Sequence, residues 1–192
     1  MKSGARFARP LAYALAALIF IAVQVLALKL MSHPWLCPCG HIALWYPDPA
    51  GPETSQHLID WYTLTHFLHG FGFYAVLWLV APKSSYAARL IVIVGMEAAW
   101  EIIENTPVII DRYRQMALAR GYFGDSVINS LSDMLATVIG AVVARSAPVW
   151  MSVALVIATE TFLAYAIRDS LTLNVIQLIA PSDLIFRWQN GG

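Results

Sequence analysis

The sequence predicts an all-α fold, a polytopic membrane helix bundle with about five transmembrane helices plus short interfacial helices. Three observations carry this. Of 192 residues, 59% are hydrophobic and only 12% charged, about half the charged fraction of soluble domains. Apolar runs near 20 residues long, enough to cross the hydrocarbon, recur along the chain. The ionisable residues inside those runs fall at helical spacing. Length fits a single integral-membrane domain, 1–192. The formal net charge of zero leaves no basic surface for nucleic acid, so membrane lipids are the expected partners. Oligomeric state is not legible.

The first run, LAYALAALIFIAVQVLAL, follows Lys2, Arg6 and Arg9 and predicts a span over 10–29. A cleaved signal peptide is the competing reading. The run exceeds the usual 7–15 residues of such a peptide and lacks a clear small-x-small site, which favours an uncleaved anchor. From Leu30 to Pro82 there is no Lys or Arg. The Pro- and Gly-rich part, about 32–60, is therefore expected on the periplasmic side. That puts the N-terminus in the cytoplasm and the chain, multi-pass, in a bacterial inner membrane. Further spans are expected at 61–80, 86–105, 125–144 and 148–167. Arg112, Arg114 and Arg120 lie on the outer side in this scheme and oppose it; the first helix, which usually dominates, keeps it.

Thr106-Pro107 reads as an N-cap followed by a helix-opening proline, starting a short surface helix over PVIIDRYRQMALAR. A kink in a longer third span is the alternative. The tail, RDSLTLNVIQLIAPSDLIFRWQ, is apolar but broken by Pro181. It is read as interfacial rather than as a re-entrant segment or sixth span.

Ionisable groups within a span cost about 2.5–3.5 kcal/mol each on translocon scales and so ask for partners or a function. His66 and His69 share one face of the second span. Glu97, Glu101 and Glu104 form a stripe on the third, and Asp125, Asn129 and Asp133 one on the fourth. At 1.5 Å per residue, His66 and His69 lie roughly 9 and 13 Å below the outer end of their helix. Glu104 and Glu101 lie roughly 9 and 14 Å below Ile110 if the third helix runs that far. Asn129 and Asp133 lie roughly 6 and 12 Å below Asp125. Three stripes thus meet in one outer-leaflet layer.

Imidazole with carboxylates suits a divalent metal such as Zn²⁺, Mn²⁺ or Fe²⁺, and carboxylates alone suit Mg²⁺ or Ca²⁺. We assign His66, His69, Glu97 and Asp125 as metal ligands, and Glu101, Glu104, Asp133 and Asn129 as the catalytic set. Arg112 and Arg114 are assigned to an anionic head group. His57 and Asp60 could join from the loop. The competing reading is a hydrogen-bonded polar core that locks helix packing. No stock metal motif such as HExxH is present.

Cys37-Pro-Cys39-Gly-His41 could take a soft metal, with His33 nearby, form a disulfide, or remain two thiols in a turn. Glu160, in the fifth span, has no partner to name. Trp45, Tyr46, Trp61, Tyr62 and Trp188 suit an interfacial aromatic belt. Gly70 and Gly72 suit close helix packing.

The motifs CPCGHIALWY, SQHLIDWYTLTHFLHGF, EAAWEIIENTPVIIDRYR, GYFGDSVINSLSDMLA and RDSLTLNVI, in this order over nearly the whole chain, resemble the bacterial family UPF0314, also called DUF2585. The resemblance implies a multi-pass cell-membrane protein of alphaproteobacteria and carries no activity with it. At the level of pattern alone, Glu97 and Glu101 followed by GDSVINSLSD is similar to VanZ-like membrane proteins, and fold does not imply function. Two functions follow as expectations. The first is a metal- or proton-dependent enzyme acting on a lipid or envelope precursor at the periplasmic face. The second is a non-catalytic ligand or metal binder, or assembly subunit, stabilised by its polar core. A transporter is disfavoured by the few spans and the absence of an inverted repeat.

Overall fold

A computed structural model describes residues 4–191, with side chains from residue 11 onward. Lys2 and the side chains of Arg6 and Arg9 lie outside the described residues. The described chain forms eight helices: α1 Gly4–Leu30, α2 Thr63–Val80, α3 Tyr86–Glu104, α4 Pro107–Tyr113, α5 Val127–Ser146, α6 Val149–Ile167, α7 Leu171–Ile179 and α8 Asp183–Gln189. Among the described residues the only β pairing is an isolated bridge between Trp45 and Ile59.

Four helices are long and apolar enough to cross a membrane: Leu11–Leu30 within α1, and α2, α5 and α6. The fifth expected span, α3, has 19 residues but carries Arg89, Glu97, Glu101 and Glu104. Lipid would not accept it alone. It is sheltered instead, packed on α1 and α5. The tail forms two short helices parted by Pro181, of 9 and 7 residues. At 1.5 Å per residue neither is long enough to span.

Burial is inverted relative to a water-soluble protein. Gln24, His66, Glu97, Glu101, Asn129, Ser130, Asp133 and Thr137 are buried, while Leu11, Leu18, Leu26, Leu135, Val153, Ile157 and Phe162 face outward. A bundle in lipid is held by close packing and interhelical hydrogen bonds rather than by expulsion of apolar groups. Close packing is greatest where α2 meets α5. A Cβ added at Gly70 would collide with the backbone of Thr137 and Ala141, and one at Gly140 with Phe67. Gly72 differs from the expectation. It meets nothing within 4 Å, because two residues along a helix turn the chain about 200° away from the contact.

The turn from α2 to α3 is five residues and that from α5 to α6 only two, whereas the other connections gather at the opposite end. There Val127 N–H donates to Pro34 O at 2.9 Å, and His33 Nε2 is 3.0 Å from Asn105 O. The end of α1, the end of α3 and the start of α5 therefore share one layer. The third span stops at Glu104, shorter than the depth estimate assumed. Asn105 ends it: its Nδ2 donates back to Glu101 O at 2.9 Å, and Pro107 has no N–H to continue the ladder. Thr106 occupies the cap position of α4 without capping it. Its hydroxyl donates to Ile103 O at 2.6 Å.

Candidate functional site

His66 and His69 project from the first two turns of α2 toward the C-terminal half of α3. His66 Nδ1 lies 2.6 Å from Glu97 Oε1 and 3.3 Å from Glu101 Oε1. Its Nε2 faces Glu104 Oε2 at 3.9 Å and Asp133 Oδ2 at 4.0 Å. His69 Nδ1 is 3.1 Å from the second oxygen of Glu97. One imidazole is thus ringed by four carboxylates drawn from α3 and α5. Thr137 Oγ1 donates to His66 O at 2.8 Å and fixes the start of α2 against α5.

Ligand atoms of His66, His69 and Glu97 all lie within 4.8 Å of one another, as do those of His66, Glu101 and Glu104. Either trio resembles a three-ligand metal site with an open position. Glu101 Oε1, Glu104 Oε2 and Asp133 Oδ1 are buried without a hydrogen-bond partner. Buried polar atoms are normally paired, and an exception calls for a cause such as an ion or a catalytic role.

The opposite half of the constellation is bonded to the loops around it, with Asn129 Oδ1 and Gln56 Oε1 left unpartnered. Asp125 accepts Asn105 Nδ2 at 2.6 Å on one oxygen and Tyr122 O–H at 2.9 Å on the other. Its backbone N–H donates to Asn105 Oδ1 at 2.7 Å. Asn129 Nδ2 donates to His57 O at 2.9 Å. Gln56 Nε2 donates to Gly124 O at 2.8 Å. These bonds seal the long loop onto α5, so Asp125 and Asn129 act here as anchors beside the histidine cluster. Asp60 caps α2, accepting Tyr62 and Thr63 N–H on one oxygen and Ser55 N–H on the other. The His57 ring turns away, toward Glu53 at 2.8 Å.

A narrow cavity of about 50 Å³ runs from the loop at Pro49–Gly51 down to His66, Glu104 and Asp133. Tyr62, Tyr113 and Tyr122 wall it. Burial, and after it the facing carboxylate, raises each phenol well above its ordinary value: Asp169 beside Tyr62, Glu104 beside Tyr113, Asp125 beside Tyr122. All three therefore remain O–H donors at neutral pH. Among the described residues no Lys or Arg lines the cavity. Arg112 and Arg114 are not brought to it. Arg112 Nε donates to Leu178 O at 3.1 Å, and Arg114 Nε to Tyr122 O at 2.7 Å. A site with this many carboxylates and two imidazoles cannot be neutral by its side chains alone if all are ionised. Low-dielectric burial then demands protons or a bound cation.

Several contributors escaped sequence reasoning. Gln24 Nε2 donates to Ser130 Oγ at 2.6 Å, and Ser130 Oγ donates to Glu101 Oε2 at 2.6 Å, joining α1, α5 and α3. Gln24 is the one amide in a long apolar run, a signal that was available. Asn105, Tyr113 and Asp169 gave none. Glu160 gains the partner it lacked, accepting Thr172 N–H at 3.1 Å. Cys37 and Cys39 are joined as a disulfide, and His33 is held at Asn105 instead of beside them.

Fold and site together define a polytopic helical protein of membrane type with an acidic, histidine-bearing cavity at one end of its bundle. The chain belongs to the family described as "Protein of unknown function (DUF2585)", whose model matches residues 28–191. It is similar to a UPF0314 protein of Paracoccus denitrificans, 45% identical over 174 residues, 91% of this chain and 90% of that one. A UPF0314 protein of Sphingopyxis alaskensis is 44% identical over 178 residues, covering 93% and 95%. One of Rhizobium meliloti is 45% identical over 177 residues, covering 92% and 90%. No solved structure matches the chain.

Proposed function

We propose that this protein is a membrane-embedded enzyme that uses a divalent metal to act on a lipid or envelope precursor at the periplasmic face. The observation that carries the reading is the set of unpartnered buried oxygens on Glu101, Glu104 and Asp133 around His66, at the floor of a cavity. In this reading His66, His69 and Glu97 hold the metal, which would polarise a substrate oxygen or activate water. Glu101, Glu104 and Asp133 position that water and move protons. Because the cavity wall lacks Lys and Arg, an anionic head group would rely on the metal and the three tyrosine hydroxyls rather than on Arg112 or Arg114.

A lipid substrate is supported by a second space. An apolar groove of about 590 Å³ lies between α2 and α6, lined by Phe71, Gly72, Trp78, Val153 and Ile157 and closed at the loop end by Glu160 and Thr172. The α6–α7 turn at Asp169 stands between groove and cavity, with Tyr62 O–H donating to Asp169 Oδ2 at 3.3 Å. An acyl or isoprenyl chain in the groove would place its head beside that turn. The periplasmic assignment draws on the basic N-terminal flank and on the loop disulfide, which suits an oxidising compartment. Apart from that flank, Lys29, Arg112, Arg114, Arg120, Arg168 and Arg187 lie at the loop end and Lys83, Arg89 and Arg145 at the opposite end, a distribution that counts against it.

A second reading, a non-catalytic binder or assembly subunit, is favoured by the satisfied Asn105–Asp125 and Asn129–His57 contacts. Elemental analysis of the detergent-purified protein beside His69→Ala and Glu97→Gln separates the two, together with lipid profiles of cells carrying each variant. Stoichiometric metal lost from both variants, with an altered lipid profile, is expected. Absence of metal from the wild type, or unchanged lipids in both variants, would overturn the enzyme reading.

A further inference from the structure

The loop between α1 and α2 gathers a second set of metal-ligating side chains that shares no residue with the bundle cluster. The Sγ atoms of Cys37 and Cys39, a carboxylate oxygen of Glu53 and a ring nitrogen of His57 all lie within 4.8 Å of one another. Local sequence does not force this meeting, since fourteen or more residues separate the cysteines from Glu53 and His57. The fold makes it: Tyr46 N–H donates to Ile59 O at 2.9 Å and Leu58 N–H to Ala43 O at 3.2 Å, folding the loop back on itself.

The histidine is held in one state. Ala43 N–H donates to His57 Nδ1 at 3.1 Å, which leaves the proton on Nε2, and Nε2 donates to Glu53 Oε2 at 2.8 Å. The ring is fully buried. A buried imidazole orienting a carboxylate is the arrangement that positions a metal ligand from behind. His41 Nε2 approaches the same oxygen from the exposed side, at 3.8 Å. Two sulfurs, a carboxylate and an imidazole are the donors that zinc takes in tetrahedral sites.

In the structure the sulfurs are bonded to each other, and neither can then serve as a thiolate ligand. We propose that reduction of the Cys37–Cys39 disulfide opens a loop site for a zinc-class divalent ion, held by Cys37, Cys39, Glu53 and His41, with His57 orienting Glu53. The exchange balances. A dithiol reductant attacks one Sγ, the Sγ–Sγ bond breaks, two electrons pass to the cysteines, and the reductant closes as its own disulfide. Each cysteine thiol then releases its proton to water as the ion binds. A disulfide oxidant that takes the two electrons and leaves as its dithiol re-forms the Sγ–Sγ bond and expels the ion. The site bears on the bundle through backbone neighbours: His57 O accepts Asn129 Nδ2, and Ser55 O, on the cavity wall, accepts Ser126 N–H at 2.9 Å.

The test uses the full chain in detergent, reduced with a dithiol and freed of it anaerobically, then titrated with Cd²⁺ and separately with Zn²⁺. The reduced wild type is expected to develop the thiolate-to-cadmium charge-transfer absorption at one equivalent and to retain zinc on gel filtration. Oxidised protein and Cys37→Ser/Cys39→Ser should show no such absorption and should retain one equivalent of zinc fewer than the reduced wild type. A His69→Ala/Glu97→Gln variant should show the absorption and retain that equivalent, which separates this site from the bundle. Glu53→Gln should weaken binding by about 10–100-fold. Absence of the absorption from reduced wild type overturns the proposal. If the cysteine variant does not fold, unaltered affinity in Glu53→Gln overturns it instead.

Discussion

Glu97 holds both histidines of α2 with one carboxylate: Oε1 is 2.6 Å from His66 Nδ1 and Oε2 is 3.1 Å from His69 Nδ1. Glu97 is itself fully buried. The first prediction concerns this clamp. Glu97→Gln preserves shape but puts an amide NH₂ where one carboxylate oxygen stood, so the imidazole facing it must turn to the tautomer with an unprotonated Nδ1, and the charge that both imidazoles and a metal would see is lost. The variant should fold, shown by unchanged gel filtration, and lose at least tenfold in affinity for added Zn²⁺ or Mn²⁺. Equal affinity would remove Glu97 from the ligand set.

The loop-bonded half of the constellation should behave in the opposite way. Asn105→Ala strips hydrogen bonds from Glu101 O, from both the backbone and the carboxylate of Asp125, and leaves them buried. A loss of about 2 kcal/mol or more is expected. Thermal denaturation in detergent checks it, and metal affinity per folded molecule should not change.

Ser130→Ala tests the link across three helices. Removing the hydroxyl leaves Gln24 Nε2 with only the weaker contact to Ser130 O at 3.2 Å and Glu101 Oε2 with none. The expected cost is about 1–3 kcal/mol, from the unpaired buried carboxylate. Adding Gln24→Leu should recover less than half of it, because Glu101 stays unpaired.

Gly70→Ala should be, with Gly140→Ala, among the most disruptive single methyls in the described residues. Its Cβ meets backbone atoms of α5, which cannot rotate away as a side chain can. About 1–3 kcal/mol or more is expected from such overpacking. Gly72→Ala, two residues on, meets nothing and should leave the melting temperature within a degree or so of wild type.

Asp169 supplies a pH prediction. Burial pushes its carboxyl up to about 6, against hydrogen bonds from Ser170 N–H and from Tyr62. A carboxyl raised in the folded state binds its proton more tightly there than when unfolded. Its stabilising contribution is therefore complete below the unfolded value and disappears as pH rises through about 6. Melting temperature should fall between pH 5 and pH 7 by more in wild type than in Asp169→Asn. Parallel curves for the two would contradict it.

How much of this was legible in the sequence follows from the range of each interaction. The stripes of α2, α3 and α5 announced themselves, because helical periodicity alone puts His66 with His69, and Glu97 with Glu101, on one face. The end of α3 did not. Asn-Thr-Pro fits both a stop and a kink, and the choice was made by Asn105 reaching Asp125, twenty residues away. Sequence reasoning grouped Asp125 and Asn129 with Asp133 on spacing. It could not see that the loop claims the first two and leaves the third free. Gln24 was passed over because a single polar residue has no period, and its partner lies in another helix. The arginines were assigned by proximity in sequence, and backbone carbonyls of Leu178 and Tyr122 hold them elsewhere.

The Gln24–Ser130 bond spans 106 residues, and this sets an order on biogenesis. At about 5–20 residues per second, α1 enters the bilayer roughly 5–20 seconds before α5 has been made. Throughout that interval the Gln24 amide has no partner from this chain to satisfy it. The first helix meets α3 before α5 exists, and its Gln24 amide is matched only when the fifth helix arrives. A chain interrupted before Ser130 would leave an anchored helix carrying an exposed amide in lipid, a feature by which membrane quality control could tell an unfinished copy from a completed one.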